Sequence, residues 1–233
     1  MPVTFSFGGS GHHFPFMLGT AFALKTHFDI PWDEVYAHCI SSGCSGAMSL
    51  LLCSPDEIEQ LAVKGITLAH HSVQQSRKDY YVQLIKHLIP ATAYRLVGDR
   101  LVIGTSEVPR FQASLHDTGY PTQQVLMDKL HSSCRIPLVT GSWSRELDGG
   151  FSHHYALSDE NTIVITLKRY PRSDIAARKS SYFLEMLLPS AQRMWDLYEQ
   201  GIREVEENYE ALAVKIANGL RDTNSEVHFK PYR

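Results

Sequence analysis

An α/β domain with a mainly parallel central sheet is what this sequence predicts, and three observations carry that expectation. Two strand, small-residue turn, helix units follow one another directly within residues 3–53. The uncharged run Thr162-Ile-Val-Ile-Thr-Leu167 reads as a parallel strand buried on both faces. In the last third, Ile202, Val205, Tyr209, Leu212, Ala213, Ile216 and Leu220 keep a helical period. Neither a repeat, a low-complexity tract nor a linker interrupts the chain, so one domain spanning 1–233 is expected.

In the first unit, Val3 to Phe7 alternates and is rich in β-branched and aromatic residues, as a strand requires. The turn Gly8-Gly-Ser-Gly11 follows, and Phe14 to His27 then forms an apolar helix buried all round, with Phe14, Phe16, Phe22 and Phe28 as helix core. A glycine turn at a helix start presents free N–H groups beside the positive end of the helix dipole, a place suited to a phosphate or a developing oxyanion. In the second unit Glu34 to Ile40 is a strand, Ser41-Ser-Gly-Cys-Ser-Gly46 the turn, and Ala47 to Cys53 a helix. A nucleophile held between strand and helix by small neighbours is the nucleophile-elbow pattern.

Further on, Pro55 opens an amphipathic helix through Ile58, Leu61, Ala62, Gly65 and Leu68. Arg77 to Leu88 is helical, Leu101 to Ser106 a strand with a hairpin partner running to Gln112, and Thr122 to Ser132 a helix. Asp148-Gly-Gly150 is a turn, Glu204 to Asn208 a solvated helix face, and helices fill 176–221.

Composition narrows the function. At 233 residues, 43% hydrophobic and 20% charged, the chain builds a substantial core, which excludes disorder, collagen and coiled coil. Lys plus Arg number 22 against 25 acids, a formal charge of −3, so no basic field calls for nucleic acid. Cys39, Cys44, Cys53 and Cys134 form no Cys-x-x-Cys pair, and reduced thiols in a cytoplasmic protein are expected. The N-terminus has no secretory pattern, and the apolar stretch Phe14 to Leu24 is too short to span a bilayer. The pairs His12-His13, His70-His71 and His153-His154 lack acidic or cysteine partners at ligand spacing, so neither metal nor other cofactor is expected.

Five segments in order carry a family resemblance. Ser6-Phe-Gly-Gly-Ser-Gly11 with Leu18-Gly19, Gly43-Cys-Ser-Gly-Ala-Met48, Ile136-Pro-Leu-Val-Thr-Gly141 with Leu147-Asp-Gly-Gly-Phe-Ser152, Ser173-Asp-Ile175 and Glu199-Gln-Gly201 resemble landmarks of the patatin-like phospholipases. The similarity is to their adiponutrin and adipose triglyceride lipase branch. It implies a three-layer α/β/α fold, catalytic motifs within 3–155, and hydrolysis of lipid esters at a membrane or lipid-droplet surface by a peripheral enzyme.

The resemblance also implies a Ser–Asp dyad, with Asp148 as base and the N–H groups of Gly9 and Gly11 as oxyanion hole. Gly43, Gly46, Gly149 and Gly150 support the elbow and the Asp turn. Two registers compete for the nucleophile. Taking Gly43 as the first glycine of Gly-x-Ser-x-Gly makes it Ser45, which suits an aspartate base. Aligning Gly46-Ala47 with the family's final Gly-Ala makes the elbow Ser42-Gly-Cys-Ser-Gly46 and puts Cys44 there, a thiol enzyme. The third expectation is a non-catalytic member that binds lipid or regulates.

Overall fold

The computed structural model describes residues 3–75, 90–137, 142–153, 159–178, 190–221 and 228–229. The helix expected from Arg77 to Leu88 lies outside them, as do residues 138–141 of the segment before the Asp turn and residues 179–189 ahead of the C-terminal helices.

The fold is α/β, with helices about a mostly parallel sheet, consistent with three α/β/α layers. Strands β1 (Thr4–Phe7), β3 (Tyr36–Ile40) and β7 (Ile163–Thr166) run parallel with β1 in the middle, and β7 pairs in turn with β8 (Ile175–Ala176). Beyond β3 lies β4 (Leu101–Glu107), parallel to it, and then β5 (Gln112–His116), antiparallel. A separate small pairing joins β2 (Phe28–Asp29) to β9 (His228–Phe229). Strand β7 is buried at all four positions, as its uncharged sequence requires.

One register detail builds the site. Strand β3 ends with Ile40 opposite Gly104, but β4 runs three residues further. Along that extension β6 (Glu146–Asp148) pairs antiparallel, with Asp148 opposite Thr105. The last residue of β6 is thereby delivered to the point where the chain leaves β3.

Helix α1 (Phe14–His27) is the central packing element. Ten of its residues, from Phe14 to Leu24, are buried, because α2 (Gly43–Leu52), α3 (Pro55–Gln75) and α6 (Ala191–Glu207) all pack against it. Phe14, Phe16 and Phe28 are core side chains and Phe22 is packed against that core. The remaining helices are α4 (Ala93–Val97), α5 (Gln123–Ser133, its first turn capped by Thr122) and α7 (Tyr209–Arg221). None of the described helices is long and apolar enough to cross a membrane.

Several expectations are corrected here. The hairpin partner of β4 begins at Gln112 instead of ending there, because residues 108–111 form the turn, with a cis Val108–Pro109 bond and Phe111 at φ 51°. Ala176 belongs to a strand, and the C-terminal periodicity is broken at Asn208 into two helices. Glu204 is not a solvated position: it is 3% exposed and accepts from Arg178 Nε at 2.8 Å. An apolar-facing carboxylate survives there because a cation reaches it from the loop after β8.

Candidate active site

The chain leaves β3 at Ile40 and enters α2 at Gly43, so only Ser41 and Ser42 form the turn. Ser41 takes φ 52°, a left-handed conformation that a residue with a Cβ rarely adopts and that costs about 1–3 kcal/mol. Strain of this kind persists only where surrounding contacts impose it. Here the Ser41 N–H donates to Ser133 Oγ at 2.8 Å, and the Ser133 hydroxyl donates to the Gly104 carbonyl at 2.6 Å. The Ser41 hydroxyl donates to Asp148 Oδ2 at 2.5 Å.

Asp148 is held with equal care. Its N–H donates to the Arg135 carbonyl (2.9 Å), its carbonyl accepts from Ser106 Oγ (2.8 Å), and its Oδ1 accepts from the Gly150 N–H (2.8 Å). Lys129 on α5 donates to both oxygens of Glu146, at 2.7 and 2.9 Å, and so fastens β6 to the helix that carries Ser133. Burial pushes the Asp148 carboxyl up to about 6, while the bonds from Ser41 and Gly150 pull the other way. At pH 7 it is ionised by about ten to one, in the state that accepts a proton from Ser41.

The glycine turn closes the other side. A Cβ on Gly9 would stand 3.3 Å from the Cβ of Ser41, so this backbone runs against the serine. The Ser10 N–H donates to Ser42 Oγ at 3.0 Å, and the two hydroxyls lie 2.9 Å apart, locking turn to elbow. Gly8 N–H donates to the Ile165 carbonyl at 2.8 Å. The N–H groups of Gly9 and Gly11 engage no acceptor among the described residues, and both glycines are partly open to solvent. Donors without a described acceptor, in a turn that runs against a hydroxyl bonded to a carboxylate, are an arrangement that acyl-transfer chemistry can use.

The two expected nucleophiles are elsewhere. Ser45 lies in the first turn of α2, where its hydroxyl donates to the Ser42 carbonyl at 2.7 Å. Cys44 is bonded to Cys39 as a disulfide, which also corrects the expectation of four reduced thiols; Cys53 and Cys134 are buried and outside the bridge. A bonded sulfur is no nucleophile. Gly43 and Gly46 are helical, not turn-forming. A Cβ on Gly43 would collide with the carbonyl oxygens of Phe7 and Gly8, and one on Gly46 would lie 2.6 Å from the Phe7 ring. They let α2 press against β1. Gly149 fills a comparable role, since its Cβ would stand 2.7 Å from the Gly104 carbonyl.

Sequence reasoning missed Ser41, and a signal for it existed. Cys39-Ile-Ser-Ser-Gly43 keeps the x-x-Ser-x-Gly spacing, with Cys39 in place of the first glycine and the serine directly after the strand. Ser133 and Ser10 carried no such signal, because their partners lie 92 and 32 residues away.

Two outcomes are expected at this level. Ser133→Ala strands the buried Ser41 N–H, so denaturant unfolding should show a loss of about 1–3 kcal/mol; unchanged stability contradicts the account of the turn. Cys44→Ala opens a bridge that closes a loop of sequence separation 5. Chain entropy sets that loss at about 2 kcal/mol, read as a drop in unfolding temperature. No family model and no curated protein matches this chain.

Proposed function

We propose that this protein is a lipid acyl hydrolase of the patatin-like type, a peripheral enzyme that cleaves carboxylic esters with a Ser41–Asp148 dyad. The observation that carries the reading is the 2.5 Å bond from a left-handed, strand-to-helix serine to a buried carboxylate.

In the proposed reaction Asp148 takes the Ser41 proton as Oγ attacks the ester carbonyl carbon. The resulting oxyanion is held by the Gly9 and Gly11 N–H groups, with the positive end of α2 behind the serine. Collapse of the tetrahedral intermediate expels the alcohol, which takes the proton from Asp148, and leaves Ser41 acylated. Water, deprotonated by Asp148, attacks the acyl-enzyme; the second collapse releases the fatty acid and returns the proton to Ser41. This chemistry uses no metal.

The dyad without histidine suits a serine in particular. Asp148 sits close to neutrality because it is buried, so it is a stronger base than an exposed aspartate. Bound water and acyl group would both approach from the edge where Gly9 and Gly11 are open.

Location is proposed as the surface of a membrane or lipid droplet.

The test is covalent. A fluorophosphonate ester should label the chain once, and peptide mass spectrometry should find the adduct on Ser41. Labelling elsewhere, or none under conditions that modify a control serine lipase, sinks the proposal.

A further inference from the structure

The edge that carries Ser41 also carries aromatic side chains left in water. Among the described residues, Trp143 is 64% exposed, Phe111 41% and Phe151 47%, and register brings all three to this edge. Because β4 outruns β3, the turn at 108–111 projects past the elbow. The Val108 N–H donates to the Arg145 carbonyl at 2.9 Å, which holds that turn to the segment carrying Trp143. Phe151 closes the turn begun by Asp148, and its ring centroid is 5.8 Å from that of Phe111.

Cations are segregated to the same edge. Arg110 and Arg145 are exposed beside these rings. Lys168 and Arg169, also exposed, follow the end of β7, which the Gly8-to-Ile165 bond places next to the glycine turn. On the described segments 107–111, 142–153 and 167–170, Glu107 is the exposed acid. A chain of formal charge −3 has thus put its negative charge elsewhere. Amphipathic rings interleaved with cations match the headgroup layer of an anionic bilayer, where rings lie at the interface and Lys or Arg meet phosphates.

We propose that this rim is a docking surface for an anionic phospholipid bilayer, entered by Trp143, Phe111 and Phe151 and held by Arg110 and Arg145. The proposal rests on reading Ser41 and Asp148 as a lipid hydrolase, since it is this seating that brings the elbow over its substrate.

The experiment uses the full chain with Ser41→Ala, so that lipid is bound and not consumed. It is sedimented with phosphatidylcholine vesicles that contain or lack about one third phosphatidylserine. Binding to the anionic vesicles is expected, with at least about a tenfold loss on adding Phe111→Ser and Trp143→Ser. Arg110→Gln with Arg145→Gln should remove the preference for phosphatidylserine.

Failure of the parent to bind anionic vesicles overturns the proposal, and so does binding that ignores both pairs of substitutions. It is equally overturned if the aromatic pair abolishes self-association of the chain, seen by gel filtration, and leaves vesicle binding intact. Turnover of a soluble short-chain ester, measured with Phe111→Ser and Trp143→Ser in the Ser41 parent, separates the two readings. Intact turnover with lost vesicle binding supports both. Absent turnover with residue-dependent binding leaves the docking surface standing and removes the hydrolase.

Discussion

Ser41→Ala is expected to abolish ester hydrolysis, with a fall in turnover on the order of 10⁴ or more, as loss of a nucleophile gives where base and oxyanion donors remain. Ser45→Ala, four residues on, should cost less than about threefold, since that hydroxyl only returns a bond to the Ser42 carbonyl of its own helix. The contrast is large because the two serines differ in one respect that matters. Ser41 is at the end of a strand, with its hydroxyl on Asp148; Ser45 is one helical turn beyond. Measured on a soluble ester, the pair decides the register. Full activity in Ser41→Ala would remove the dyad.

Asp148→Asn is the second large effect, and it acts on activity and stability in opposite directions. Turnover should fall on the order of 10³–10⁴, because an amide neither accepts the Ser41 proton nor returns it. In the unsubstituted protein the rate should climb with pH up to about 6 and level above it, the carboxylate being the active form.

Stability runs the other way. The Asp148 carboxyl is raised from the ordinary 3.8 to about 6 on folding, so the folded protein binds this proton more tightly than the unfolded chain does. Its contribution is fully present below about pH 4 and is lost as pH rises through about 6, a cost of up to about 3 kcal/mol above that range. Asp148→Asn should therefore be more stable than the unsubstituted protein at pH 8 and not at pH 4. Denaturant unfolding at the two pH values reads this without any substrate. Equal stability at both would mean that the carboxylate is not buried as described.

Much of the fold was legible in the chain. Alternation in Val3 to Phe7, an unbroken apolar run at Thr162 to Leu167 and a 3.6-residue period in the last third are local patterns, and local patterns report local structure. The turn at Asp148 was also legible, because an acid before two glycines favours a turn; its role as base was an expectation that only the family resemblance supplied. What misled was the meaning of Gly43 and Gly46. Small residues in a row suggest a loop, and the helix was therefore expected to start at Ala47. They are small for a different reason: the carbonyls of Phe7 and Gly8 and the ring of Phe7 occupy the space any side chain would need. The helix starts four residues earlier, and the strand-to-helix turn moves back with it to Ser41 and Ser42.

By itself, then, the sequence determined an α/β chain, two strand-to-helix units with small residues at each junction and an acid in an Asp-Gly-Gly turn. Each follows from residues within a few positions of one another, where propensity and periodicity act. Which serine faces that acid was decided only by the tertiary structure. Ile40 pairs with Gly104 and Asp148 with Thr105, so adjacent positions on β4 bring together side chains 107 residues apart. Sheet register sets that meeting, and register depends on every contact that seats the strands, not on the residues that meet.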